Sequence, residues 1–596
     1  MGISDSNLTQ AQKPRGTRLA VLLLVVLIVA FVALAGRCFY LQGLEKEEYL
    51  RICSRQLQAK LVRSPQRGVI LDRAGRVLAA SNQIQTIFVE PRILSDPKET
   101  SCELGDALDM PAHEICIAIT ECINPGFVKI KIDSDEDECD AAGKIRGAGV
   151  LCDWQRHYPT GALTSHVVGF TSADNRGLAG IELCFDKPLA GTPGQNIFLA
   201  DTRRRPIRLF DQKSPLRDGV GIILTIDATI QQFAREELQE QCKNFRAESG
   251  VAIVAEPKTG AILAMVSLPD FEPDKFNTTN PDKFRNRAVT DQFEPGSILK
   301  PLTVAIALDA GAISANETIF CENGTYAGKG FGRIGEYDYH KYGNLTIREV
   351  LVKSSNIGMA KIGQKLGKDK LYKGLHLFGF GKKTGIELPG EGDGLLRPVK
   401  EWTGYSITRI PFGQEISATP IQLVRAFCML ANGGRPVRPF LVKAIVDNDG
   451  NIIKIKRPPP PVGFVIDPQI ARWVVTDPMV GVVTDKKNGG TGWRANLENW
   501  QVFGKTGTAN VAKSKERGYS DSEYISSFVA GAPAEDPAIV VLVSIRKPDR
   551  SLGKGYTGGA VASPVAGKII QKTLTYLRVP PHKPQPTEPM FAKHAD

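Results

Sequence analysis

Three short stretches between positions 294 and 508 of this 596-residue chain carry side chains that could make and break an acyl bond. The first is Glu294-Pro295-Gly296-Ser297-Ile298-Leu299-Lys300. A serine three residues before a lysine shares a helix face with it, one turn away. Pro301 is tolerated only in a first turn, so the helix must start close to Ser297, with the hydroxyl at its positive end. A lysine desolvated by packing has a lowered pKa and can deprotonate such a serine for attack on a carbonyl. The second stretch is Lys353-Ser354-Ser355-Asn356, between an amphipathic segment at 346–352 and a helix at 357–366 stopped by Gly367. A hydroxyl and an amide two residues apart in a loop can face one cleft. The third is Lys505-Thr506-Gly507-Thr508. On an edge strand, Gly507 lets a substrate backbone approach, while the lysine and the threonine hydroxyls suit a carboxylate. Singly, each stretch also reads as a helix cap or a strand of small residues.

Gly504-Lys505-Thr506 also resembles the end of a nucleotide-binding phosphate loop. The first glycine of that loop would stand at 499, which is Asn499. No apolar helical period follows Thr508, whereas a phosphate loop must open a helix that faces the anion. Nucleotide binding is therefore set aside.

These groups need a framework. Residues 250–269 read as two apolar strands around the turn Pro257-Lys258-Thr259-Gly260, and 525–533 and 538–545 read as two more. Helical periods cover 302–310, ending before Gly311, and about 560–577, where Val561, Val565, Ile569 and Leu577 share a face. Strands at both ends and helices between them predict an α/β domain over 245–579, one sheet built from both of its ends. Upstream, 221–227 alternates as a strand and 228–241 carries a helical period. Residues 64–81 give two short strands around Asp72-Arg73-Ala74-Gly75, and 90–155 gives small α/β elements. Pro458 to Pro461 reads as a surface linker, and the proline-rich 580–596 as a disordered tail.

Residues 19–36 contain no charge and approach the roughly 20 apolar residues that span a bilayer. Lys13, Arg15 and Arg18 precede the run with only Asp5 against them, which predicts a cytoplasmic tail at 1–18, an anchor at 19–41 and an exported remainder. Residues 42–62 read as a helix or stalk leaving the membrane. Ala33-Leu34-Ala35 could serve a signal peptidase, but the run is long for a signal segment, and an uncleaved anchor is the better reading. Arg37 stands between Gly36 and Cys38 and spoils a lipoprotein box. Net charge is +11, spread without polybasic runs, so nucleic acid is not an expected partner. Eleven cysteines leave at least one unpaired if the rest form disulfides, whose pairing the sequence leaves open. His113-Glu114 lacks the second histidine of a zinc helix, since position 117 is Ile117. No metal or cofactor is expected.

Ser-x-x-Lys, Ser-x-Asn and Lys-Thr-Gly in this order are the signature of penicillin-binding proteins and related β-lactamases. With "RGVILDRAGRVLAAS", "GIELCFDKPLAGTPG", "RNRAVTDQFEPGSILKP", "SSNIGMAKIG", "ATPIQL", "GKTGTA" and "GGAVASP", residues 60–580 resemble a class B penicillin-binding protein throughout, most closely the FtsI-type, division-specific peptidoglycan D,D-transpeptidases. The resemblance implies a transmembrane helix, an α+β pedestal of the dimerisation type at 55–225, and a serine β-lactamase-like transpeptidase domain with an antiparallel sheet flanked by helices. It implies Ser297, Lys300, Ser354, Asn356 and Lys505 as catalytic residues. Thr506, Gly507, Thr508 and Ser355 would bind substrate, with Ser355 where the family often has aspartate. The backbone N–H groups of Ser297 and Thr508 would form the oxyanion hole. Implied partners are D-Ala-D-Ala stem peptides, β-lactams, the inner membrane, an FtsW-like glycosyltransferase of the SEDS type and other divisome membrane proteins. An elongation-type relative, a β-lactam sensor and a β-lactamase share the motifs. The β-lactamase would need a water-activating glutamate, for which the sequence offers no clear candidate.

Overall fold

The computed structural model describes residues 15–123, 126–200, 206–456, 458, 462–512 and 518–581. Residues 1–14 of the expected cytoplasmic tail, most of the Pro458–Pro461 linker and 582–596 of the expected disordered tail lie outside the described residues. The chain forms two compact units, one of residues 1–65 and 192–217, the other of 66–191 and 218–596.

In the first unit a helix spans Arg15–Phe39, followed by a π-helical turn at Tyr40–Leu44 and a helix at Lys46–Leu57. Within Arg18–Leu44 an 18-residue window reaches a mean hydropathy of 3.2 with none of it buried, and the helix is long and apolar enough to cross a membrane. Residues 58–62, expected to continue the helix or stalk, belong to a strand instead. This strand, Gln58–Arg63, pairs antiparallel with Gly194–Ala200, which pairs with Pro206–Ser214. Its partners lie more than a hundred residues along the chain, beyond the reach of local periodicity.

The second unit contains two large sheets and two two-stranded ones among its described residues. In the first, Ile70–Leu71 and Val77–Val89 pair around the Asp72–Gly75 turn, where Gly75 takes φ +89. Val77–Val89 also pairs with Ala148–His157 and Val128–Lys131. Helices Pro97–Leu108, Ala112–Thr120 and Glu136–Gly143 close a small core of Ile87, Val89, Leu104, Leu108, Ile115 and Ile119. On its other side Ile70–Leu71 runs parallel to Gly221–Leu224, which pairs with Val442–Val446. A strand from within the expected 245–579 domain thus completes the sheet of the expected pedestal. Buried ions brace this region. Arg67 Nε and Arg156 Nε each lie 2.6 Å from a Glu182 oxygen, with Glu182 fully buried. Asp72, also fully buried, accepts from the backbone of Ala74, Arg76 and Ala228 and pairs with Arg76, which reaches Asp227.

The second sheet has five antiparallel strands: β1 (Ser249–Ala255), β2 (Ile262–Leu268), β3 (Phe503–Ala512), β4 (Tyr519–Ala532) and β5 (Ile539–Arg546). Their order is β2-β1-β5-β4-β3, so strands from both ends of the domain build one sheet, with β3 at its edge. Every residue of β1 and β2 is buried, which is why they read as unbroken apolar runs. Helices α1 (Ala228–Asn244) and α5 (Ser563–Tyr576) cover one face. The other face carries a helical subdomain that includes α2 (Lys300–Asp309), α3 (Asn356–Leu366) and the wholly buried α4 (Pro420–Ala431).

Ten of the eleven cysteines stand as free thiols. Among the described residues no group of three His, Cys, Asp or Glu is placed to hold a metal.

Candidate active site

The chain reaches α2 through a 3-10 turn, Gly296–Leu299, in which Lys300 N–H donates to the Ser297 carbonyl. Pro301 has no N–H to offer that carbonyl, so the α-helix begins at Lys300 and Ser297 occupies the turn ahead of it. Gly296, at φ +53, donates its N–H to Gly413 O at 3.0 Å and anchors the turn. Ser297 is half-buried and lines a cleft of about 430 Å³.

Lys300 is fully buried. Its Nζ lies 2.5 Å from Ser354 O, 3.2 Å from Ser354 Oγ and 2.9 Å from Asn356 Oδ1. Burial lowers its pKa to about 7, against an opposing pull from the Glu336 charge. Lys505 reaches the same hydroxyl from β3: Nζ is 2.9 Å from Ser354 Oγ and 3.3 Å from Thr506 O. It too is fully buried, and burial with the nearby Lys300 charge holds its pKa well below the usual lysine range. Two ammonium groups on one hydroxyl repel, so the site favours a neutral amine at physiological pH. Ser354 itself stands at φ +59, a left-handed conformation a serine seldom adopts, held between two helices.

The cleft walls also include Thr506, Thr508 and Asn356. Thr506 Oγ1 is 2.7 Å from Thr491 Oγ1, and Thr508 Oγ1 accepts Gly558 N–H at 3.1 Å. Two expectations change. Ser355 does not reach the cleft: it is fully buried, caps α3 by accepting Gly358 N–H at 2.9 Å, and donates to Glu336. Gly507 leaves room for protein rather than for substrate, since a Cβ there would stand 2.8 Å from Ile298 Cγ1 and 3.1 Å from Pro295 O. The strand therefore packs directly onto the turn that carries Ser297.

Several cleft groups had no signal in the sequence. Glu336 follows a two-stranded hairpin, Thr325–Gly328 with Gly332–Gly335, and turns inward beneath α3. At the cleft edge, Glu294 Oε1 accepts Tyr519 Oη–H at 2.8 Å and Glu415 N–H at 3.0 Å. Burial raises the pKa of Glu294, and the Glu415 charge adds to that. On another wall Tyr337 Oη is 3.1 Å from Tyr556 Oη. A larger cavity, about 520 Å³ between Thr225, Leu263, Val437 and Phe440, contains none of the motif residues. Chemistry, not volume, locates the site.

Residues 250–571 match the penicillin binding protein transpeptidase domain, and 62–222 match the penicillin-binding protein dimerisation domain. The chain is 34% identical over 565 residues to stage V sporulation protein D of Bacillus subtilis, covering 94% of this chain and 85% of that protein. It is 31% identical over 570 residues to peptidoglycan D,D-transpeptidase FtsI of Escherichia coli, covering 93% and 91%. Among solved structures, penicillin-binding protein 3 of Mycobacterium tuberculosis complexed with aztreonam is similar at TM-score 0.68 and 26% identity, over 88% of this chain and 99% of that one.

Proposed function

The chain belongs to the class B penicillin-binding proteins, and on that premise we propose that it is a membrane-anchored peptidoglycan D,D-transpeptidase of septal wall synthesis. The observation that carries the reading is the convergence of Lys300 and Lys505, both fully buried, on the Ser354 hydroxyl in the cleft that holds Ser297.

Ser297 Oγ attacks the carbonyl of the penultimate D-Ala of a stem peptide, and neutral Lys300 takes its proton. The tetrahedral oxyanion sits against the backbone N–H groups of Ser297 and Thr508, donors each worth about 3 kcal/mol in such sites. As the C–N bond breaks, the proton passes by way of Ser354 to the leaving amine, and terminal D-Ala departs. Lys505 tunes that hydroxyl, and Asn356 orients Lys300 and the substrate amide. Thr506 and Thr508 hold the terminal carboxylate. An amine from a second stem peptide then attacks the Ser297 ester, forms the cross-link and frees the serine. A β-lactam acylates Ser297 by opening its ring, so no leaving group departs.

The helix at Arg15–Phe39 supports a single-pass anchor. The basic residues ahead of it support a cytoplasmic N-terminus and a catalytic domain outside the inner membrane. An FtsW-like glycosyltransferase and other divisome proteins are the proposed partners in the membrane. The proposed domain limits are 55–225 for the pedestal and 245–579 for the transpeptidase, with Val442–Val446 contributed to the pedestal-side sheet.

The test is product analysis with full-length protein in detergent, a synthetic D-Ala-D-Ala stem peptide and an amine acceptor. Transpeptidation gives free D-Ala and an equal amount of the new amide. D-Ala release with hydrolysed donor alone would overturn the transpeptidase assignment.

A further inference from the structure

Glu336 is 9% exposed, and each of its carboxylate oxygens is engaged. Oε2 accepts Asn356 N–H at 2.7 Å, while Oε1 accepts the Ser355 hydroxyl and Ile357 N–H, the latter at 3.3 Å. The carboxylate therefore sits at the N-terminus of α3, where exposed N–H groups and the helix dipole favour an anion. The preceding carbonyl, Gly335 O, accepts Asn356 Nδ2–H at 3.1 Å. Asn356 is thus gripped at its backbone and at its amide nitrogen by two consecutive residues. That grip aims Oδ1 at Lys300 Nζ, 2.9 Å away. On the other side of Ser355, Ser354 is held in its left-handed conformation, with its carbonyl and hydroxyl on the same Nζ.

We propose that Glu336 is a positioning residue of the acylation reaction, locking the Ser354-Ser355-Asn356 turn against Lys300. The proposal rests on the reading of Lys300 as base to Ser297. Glu336 has a second effect through charge. The ionisable groups facing Lys300 are Glu336 from the hairpin side and Lys505 from β3, while Cys321 and Tyr342 face Glu336 from their own segments. Glu336 supplies the negative charge that favours the protonated form of Lys300, opposing its burial.

The test compares Glu336→Gln, Glu336→Ala and Ser355→Ala in the full-length protein, following acylation by a fluorescent penicillin as a function of pH. Glu336→Gln keeps an acceptor oxygen and the side-chain shape but removes the charge. Its acid limb should move down by about one pH unit, because Lys300 then loses its proton more easily. Glu336→Ala should lose the grip as well and acylate about 10- to 100-fold more slowly at the plateau, the loss that follows misplacement of a reacting group. Ser355→Ala should slow acylation without moving the limb, since no charge changes. An unmoved limb in Glu336→Gln, or a plateau in Glu336→Ala equal to the parent, overturns the proposal. A parent label that survives Ser297→Ala would instead show that the underlying assignment of the nucleophile has failed.

Discussion

Lys505 Nζ lies 2.9 Å from Ser354 Oγ, and Lys300 Nζ lies 3.2 Å from the same oxygen. A hydroxyl has one proton to give and two lone pairs to offer. Between two amines it can accept from one and donate to the other when that one is neutral, which is what a proton relay requires. Ser354→Ala should therefore slow acylation by a fluorescent penicillin about 10²- to 10⁴-fold, the usual range for loss of a proton-transfer group. It should also lower stability by about 1–3 kcal/mol, because two buried amines lose an acceptor. A rate within about threefold of the parent would remove Ser354 from the relay.

The pH dependence follows from Lys300. With its pKa lowered to about 7, the amine is largely protonated below that pH and largely neutral above it. The acylation rate constant of the free enzyme should rise through a limb centred near pH 7 and then level. A rate that stays flat from pH 5 to 9 would contradict Lys300 as the base.

The same shift has a consequence for stability. A lysine whose folded pKa lies below its unfolded value of 10.5 binds a proton more weakly in the native state, so its contribution is full above 10.5 and is lost as pH falls to about 7. A Lys300→Met variant has no such group. Its stability advantage over the parent should be largest below pH 7 and should shrink steadily towards pH 10. Urea unfolding of both proteins across that range measures the difference, and a constant gap would contradict the burial of a titrating Lys300.

Gly507→Ala would set a Cβ 2.8 Å from Ile298 Cγ1 and 3.1 Å from Pro295 O, pushing the Ser297 turn away from β3. Misplacement of about 1 Å can cost on the order of 100-fold in rate, and overpacking costs about 1–3 kcal/mol. Gly143→Ala, where a new Cβ meets nothing within 4 Å, serves as the control and should match the parent in both. Equal acylation rates for the two variants would show that the strand and the turn are not coupled.

Glu182 balances two buried guanidinium groups, Arg67 and Arg156, each at 2.6 Å. Glu182→Ala leaves Arg156 buried without its carboxylate and Arg67 with Asp186 alone, and should destabilise the protein by about 3–5 kcal/mol. The acylation rate should be retained below the lowered melting temperature, because the cluster is remote in role from the motif residues. Thermal unfolding and labelling at low temperature separate the two effects.

The framework was legible where periodicity was local. β1 and β2 read as apolar runs joined by a turn, α2 and α5 as helical periods, and the three motifs as a set whose order carried more information than any member. What escaped was set by distant partners. Gln58–Arg63 becomes a strand because residues 194–200 lie beside it, and Val442–Val446 crosses to the pedestal-side sheet because Gly221–Leu224 offers an edge. Within the site, Ser355 looked like a third cleft residue, but α3 needs a cap there and turns it inward. Glu336 was invisible because a glutamate after a glycine-rich hairpin looks like surface until tertiary packing places it under the helix. Gly507 was recognised as a place of close approach, but the sequence could not say that Ile298 occupies it.

The central claim is that Ser297 carries the acyl group. Full-length protein in detergent, reacted with a penicillin, digested and analysed by mass spectrometry, tests it directly. The expected result is a single adduct on the peptide containing Ser297, absent from Ser297→Ala while that variant unfolds at the parent's temperature. An adduct on a peptide containing Ser354, or a label that persists in folded Ser297→Ala, would contradict it.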